Sequence, residues 1–326
     1  MNTHLLFATT DEGVELPVID ITNPAFAVIF SEAELSAMAE QHAREAAREI
    51  PPHVLDALRQ SILGRALMAA SGTFLGGLET YRLKLGPDLL GADATPIDRQ
   101  IAASFPAQTA RLRLHDMARL LVDGLGLAGF DEPRRPICMV NIGGGPAADS
   151  WNALIRLHRE RPELLPQRPL TISVLDLDDR GPAFGARAVE ALRAPAAPLA
   201  GLDISFRHIS FNWSDADRLQ DTLGELRAAD SACAVSSEGA LFDYGSDSEI
   251  VSNLKAIHAA TAMDAFVVGT VTRPGVMARS SPIATRPRTI EAFGSLAGQA
   301  GWMVQHAIDR PFSYHVRMVK AAASIR

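Results

Sequence analysis

The spacing of apolar positions divides the chain in two. Over residues 31–125 apolar side chains recur every three to four positions with no strict alternation, which predicts a mainly helical segment. Ser31 and Glu34 form a capping-box pattern ahead of an alanine-rich helix reaching about residue 50, where Pro51 and Pro52 stop it. Further helices are expected over about 53–70, 74–85 and 95–125, the last interrupted near Phe105 and Pro106. From residue 136 the pattern changes. Apolar runs at 137–142, 170–175, 203–209, 232–236 and 265–272 alternate with helical patterns at 147–160, 181–193, 215–228 and 247–262. Such alternation marks a parallel sheet covered by helices on both faces. After a helix at about 289–300, two strand-like runs, 303–307 and 314–320, flank Asp309-Arg310-Pro311 and predict an antiparallel hairpin. The segment 14–21 reads as a short strand or extended piece ending at Asn23-Pro24. The expected fold class is α/β: a doubly wound, mostly parallel seven-stranded sheet with a C-terminal antiparallel hairpin, plus an N-terminal mainly helical domain. The expected domains are 1–125 and 126–326.

Composition narrows the function classes. With 326 residues, 47% of them hydrophobic and 21% charged, the chain reads as globular. A net charge of −7 lacks the basic footprint of nucleic-acid binding, so no nucleic-acid partner is expected. Cys138 and Cys233 both sit in apolar runs and cannot make a zinc site by themselves. No two histidines fall at helix-face spacing with a carboxylate nearby, and no metal is expected. The start of the chain lacks the basic, apolar pattern of a signal peptide, and no run approaches the ~18 apolar residues of a membrane span. A cytoplasmic protein without membrane partner is the expectation.

The chemistry is concentrated in PICMVNIGGGPAADSWNALIRL, which starts at Pro136. An apolar strand runs into Gly143, Gly144 and Gly145, where backbone can approach a ligand with no side chain in the way. Pro146 suits the first position of the following helix. Free N–H groups at a helix N-terminus, with the helix dipole behind them, cradle anionic or nucleotide-like ligands. Asp176 ends the second apolar run and suits a ribose diol at the switch point of a doubly wound sheet; Asp178 is its rival. Gly143, Gly145 and Ala148 also read as a dinucleotide fingerprint, G-x-G-x-x-A, but the acid follows by more than the usual ~20 residues.

Four segments in order resemble the class I S-adenosylmethionine-dependent methyltransferases over about residues 136–326. They are Val140-Asn141-Ile142-Gly143-Gly144-Gly145-Pro146-Ala147, Ser173-Val174-Leu175-Asp176, 206–213 (FRHISFNW) and 232–244 (ACAVSSEGALFDY). Asn141 stands where the family commonly has an acid, and Ala147 at the third glycine. The resemblance implies S-adenosyl-L-methionine as cofactor. Its binding residues would be Asn141, Gly143, Gly144, Gly145, Asp176, Leu177, Asn212, Trp213 and Ser237, with Asp176 on the ribose and Asn212 and Trp213 on the adenine. It implies methyl transfer to a small-molecule acceptor, on O, N or C. The alternatives are an NAD(P)-dependent oxidoreductase and a degenerate methyltransferase fold that only binds.

In-line methyl transfer needs positioning more than a base. Glu238, on the loop after the fourth strand, is the candidate for taking a proton or binding an amine; the other reading is a loop acid paired with an arginine. Tyr244 and Asp243 share that loop, Tyr244 shaping a pocket or packing down. His208 is a third candidate, or an edge histidine satisfied by backbone. Arg273, Arg279, Arg286 and Arg288 read as carboxylate or phosphate recognition, or as a solvated loop. In the helical third, 71–77 is a candidate hinge, and Tyr81 and Lys84 are candidate acceptor contacts. That third is also a candidate homodimer surface.

Overall fold

The computed structural model describes residues 4–28, 30–45, 51–70, 73–127, 134–228, 231–275 and 284–322. The sheet strands are β3 (Ile137–Ile142), β4 (Leu170–Asp176), β5 (Ile204–Ser210), β6 (Ala232–Ser237), β7 (Phe266–Thr272), β8 (Trp302–Asp309) and β9 (Ser313–Lys320). They form one seven-stranded sheet in the order β5-β4-β3-β6-β7-β9-β8. The first five run parallel, and β9 is antiparallel to both of its neighbours, β7 and β8. This is the sheet that the resemblance implies, and each boundary lies within two residues of its sequence expectation. Strands buried on both faces carry unbroken apolar runs, so their limits are legible.

The helices between strands are α7 (Ala148–Glu160), α8 (Arg180–Arg193), α9 (Ala216–Ala228), α10 (Leu241–Tyr244), α11 (Asp247–Ala260) and α12 (Ile290–Gln299). Before the sheet come β1 (Phe7–Thr9) and β2 (Glu15–Pro17), then α1 (Glu32–Glu45), α2 (Pro52–Gln60), α3 (Ile62–Ala69), α4 (Gly77–Leu85), α5 (Pro96–Ala103) and α6 (Phe105–Leu127). The helix expected over 53–70 is two helices. Ser61 adopts extended backbone, ends α2 and caps α3 by accepting from Gly64 N. The expected interruption near Phe105 falls at Ser104. Pro146 does not open α7; it lies in the preceding turn, and Ala147 is the N-cap with left-handed backbone, φ 62°. The capping boxes at Ser31–Glu34 and Ser246–Glu249 form.

One apolar core crosses the position where the sequence divides. Tyr81 of α4 meets Trp151 of α7 and Phe184 of α8, with ring centroids 6.1 Å and 4.9 Å away. Leu114, Met117 and Leu121 of α6 pack into the same cluster as Met139 and Phe266 of the sheet. The N-terminal thread is tied in by polar bonds. Ile19 N donates to Tyr81 Oη, Tyr81 Oη donates to Pro17 O, and Trp151 Nε1 and Asn152 Nδ2 both donate to Ile19 O. Helix α4 is thereby fixed over the carboxyl ends of the strands, where the glycine turn lies. Asp116 of α6 joins that helix to β9 and the loop before it, accepting from Arg310 Nε at 2.7 Å and lying 3.0 Å from His315 Nδ1.

Candidate active site

The turn after β3 has left-handed backbone at Gly143 (φ 65°) and Gly145 (φ 54°), positions that favour glycine. Gly144 has a different reason. A Cβ there would lie 1.3 Å from Asn141 Oδ1, so the Asn141 amide fills the space under the turn. Asn141 is fully buried, and its Nδ2 donates to Asp149 Oδ1 at 2.6 Å. Gly145 is closed from above, since a Cβ on Gly77 would lie 2.5 Å from the Gly145 Cα. Helix α4 therefore sits directly on the turn, and the exposed Arg180–Glu79 pair joins its first turn to α8.

A cavity of about 250 Å³ opens between this turn, the strand ends and α4. Gly143 and Gly144 line it, with Asp176 and Leu177 at the end of β4, Asn212 and Trp213 after β5, and Glu238 and Tyr244 after β6. Asp176 spans the turn: its Oδ2 accepts from Gly145 N at 2.9 Å and its Oδ1 from Asp178 N at 3.1 Å. Burial raises its carboxyl above the ordinary range, and those two N–H groups oppose the rise. Phe74 closes the mouth, with ring centroids 6.1 Å from Trp213 and 6.0 Å from Tyr244.

Gly77, Thr80, Tyr81 and Lys84 bring one face of α4 to the cavity. Lys84 Nζ lies 2.6 Å from Glu238 Oε1, and Arg113 Nε from α6 donates to the same oxygen at 3.0 Å. Burial alone would raise the Glu238 carboxyl, but the two cations hold it below the usual range. Burial lowers the Lys84 ammonium, and Glu238 opposes that. Glu238 is thus a fixed negative charge at neutral pH and a weak proton acceptor.

Not every expected site residue reaches the cavity. Ser237 is buried behind it, donating from Oγ to Ile142 O and accepting from Leu241 N. Asn141 and Gly145 support the turn from beneath and behind. His208 is exposed on the edge strand, its Nε2 2.9 Å from Asp176 O, and does not line the cavity. Tyr81 lines it, but its hydroxyl is committed to the N-terminal thread. Asp243 binds Thr270 and Thr272 within the core. Arg288 is buried, donating to Phe242 O and Gly245 O. Arg273 pairs with Asp309, and Arg286 N donates to Asp243 O. Arg279, Ser71 and Gly72 lie outside the described residues. Among the described residues no group of three or more His, Cys, Asp or Glu side chains is placed to hold a metal ion, and no helix is long and apolar enough to cross a membrane.

Arg113 and Asp149 are site residues that the four resembling segments do not contain. The available signal is a charge on a helix face that is otherwise apolar, as at Arg113 next to Leu114 and Met117. Asp149 lies under the turn, fully enclosed, its Oδ1 accepting from Asn141 Nδ2 and from Ser150 N. Burial raises its carboxyl to about 6, the Glu238 charge adding to the rise while Ser236, Lys84 and Ser150 N oppose it. A raised folded value means that the folded chain keeps a proton the unfolded chain releases, so stability falls as pH rises from about 4 to about 6. Asp149→Asn cannot ionise and should remove that fall, adding about 2–3 kcal/mol at pH 7 and little at pH 4. Urea unfolding at both pH values tests this; an equal difference at the two would refute it.

No protein-family model matches the chain, and no curated protein is significantly similar to it. Solved structures are similar in fold. A chain from Bordetella parapertussis, described as a possible exported protein, superposes with a TM-score of 0.56 at 17% identity, over 89% of this chain and 96% of that one. The 1,6-didemethyltoxoflavin-N1-methyltransferase of Burkholderia thailandensis, with S-adenosylhomocysteine bound, gives a TM-score of 0.41 at 15% identity over 64% and 79%. The mitomycin 7-O-methyltransferase MmcR gives 0.41 at 15% over 97% and 80%. The first of these shows that the fold is shared along nearly the whole chain.

Proposed function

We propose that this protein transfers a methyl group from S-adenosylmethionine to a small-molecule acceptor. The observation that carries the reading is the convergence of the glycine turn, the strand-end Asp176, and Asn212 with Trp213 on one cavity, in the order that the resemblance assigns. The residues fit the cofactor. Gly143 and Gly144 offer backbone without side chains, and Asp176 lines the cavity with a carboxylate, a group that suits a sugar diol. Bound there, the sulfonium supplies an already activated methyl group, so the chain need only align the partners and exclude water. Helix α4 and the Phe74, Trp213 and Tyr244 rings do the excluding, and the enclosure supports a metabolite-sized acceptor. Glu238 acts in this reading as a fixed charge, Tyr244 as a wall, and His208 plays no direct part.

The contact of Gly77 with Gly145 weighs against a dinucleotide. It fills the space over the last glycine of the turn, where a pyrophosphate would rest on the α7 N-terminus. The acid also follows Gly145 by 31 residues, past the usual ~20. Calorimetric titration with S-adenosylhomocysteine and with NADH separates the readings: micromolar binding of the first and none of the second is expected. Asp176→Ala should weaken S-adenosylhomocysteine binding by ~1.5–3 kcal/mol, the scale of lost charge-assisted hydrogen bonds. Unchanged affinity would put the sugar elsewhere.

A further inference from the structure

We infer that the buried Lys84–Glu238 pair reads the zwitterionic α-amino-acid end of the ligand, Lys84 taking the carboxylate and Glu238 the ammonium. The inference rests on the cofactor reading and deepens it: helix α4, from the N-terminal third, selects for the ligand's tail. Both side chains line the cavity, with side-chain exposures of 8% and 4%. An ion pair removed from water is costly unless further partners fill its remaining donors and acceptors. An ammonium has three N–H donors and a carboxylate about four acceptor sites, so the 2.6 Å Lys84 contact and the Arg113 bond, both on Oε1, leave donor and acceptor sites over. A zwitterion laid against the pair supplies one charge of each sign and alternates with them, adding no net charge to the enclosed site.

Arg113 makes the exchange workable. Because its Nε already donates to Glu238 Oε1, Lys84 can turn toward a ligand carboxylate without stranding a buried acid. The position fits as well. Gly77 touches Gly145, whose N–H binds the Asp176 carboxylate, and Lys84 lies seven residues further along α4, about 10 Å at 1.5 Å per residue. The charged pair is therefore displaced along the cavity from the sugar-binding acid.

The test is calorimetric titration of the full chain with three probes: S-adenosylhomocysteine, its decarboxylated amine analogue, and 5′-methylthioadenosine, which lacks the amino-acid end. The wild type is expected to prefer S-adenosylhomocysteine over both truncated probes. Lys84→Met should weaken S-adenosylhomocysteine about tenfold to a hundredfold and leave the other two unchanged, while Lys84→Arg recovers part of the loss. A wild type that binds S-adenosylhomocysteine no tighter than its decarboxylated analogue overturns the inference without any variant. So does a Lys84→Met chain that keeps full affinity or weakens all three probes alike. A wild type that binds none of the three overturns the cofactor reading along with it.

Discussion

Replacing Glu238 by Gln should cost about 3–5 kcal/mol of folding stability, far more than replacing Lys84 by Met. The carboxylate neutralises two enclosed cations at once, Lys84 at 2.6 Å and Arg113 at 3.0 Å. Removing one partner of a buried ionic cluster leaves uncompensated charge in a medium that cannot solvate it, which is the costly case. Lys84→Met leaves Glu238 paired with Arg113 and escapes that penalty. Urea unfolding followed by tryptophan fluorescence compares the two, and equal losses would show that the cations do not depend on Glu238. The pH dependence has a definite sign. The Glu238 carboxyl lies below its unfolded value, so its stabilising contribution is complete above the unfolded value and disappears as pH falls through the lowered, folded one.

Gly144→Ala should be nearly as damaging, at more than about 3 kcal/mol. The new methyl would coincide with the Asn141 amide oxygen, 1.3 Å away, so Asn141 must leave its place. Its bond to Asp149 then breaks, and buried polar groups are left unpaired. Ligand binding should fail with it, because the turn cannot close. Combining Gly144→Ala with Asn141→Gly vacates the contested space and should restore part of the stability. The two changes then give a total smaller than the sum of the separate losses. A Gly144→Ala chain that melts and binds like the wild type would refute this account of the turn.

The sheet was legible because its strands are short apolar runs with helical patterns between them, and a covered parallel sheet leaves little else to read. The terminal β1 was not, since Phe7–Thr9 is a three-residue strand, too short to show an alternation, that pairs with Glu15–Pro17. Asp176, Asn212, Trp213 and Glu238 lie at or just after strand ends, and every parallel strand end in such a sheet faces the same crevice. That topological rule brought them to one cavity. Ser237 and His208 show its limit: a position beside a strand end does not say which way the side chain points, and these two point back into β3 and out along the edge. Arg113 lies 125 residues before the acid it binds, in a helix that reads locally as ordinary. Pairing across such a separation is set by packing, and no local pattern contains it. Ala147 at the third glycine position keeps left-handed backbone even with a side chain, so the turn's shape belongs to the fold as much as to its glycines.

The N-terminal thread has a consequence for biosynthesis. Ile19 finds its partners on Trp151 and Asn152, 132 and 133 residues later in the chain. At 5–20 residues per second, Ile19 is added to the chain roughly 7–27 s before those partners are. Until then the Ile19 carbonyl lacks both donors, so this part of the strap is secured only once nearly half of the chain has been made.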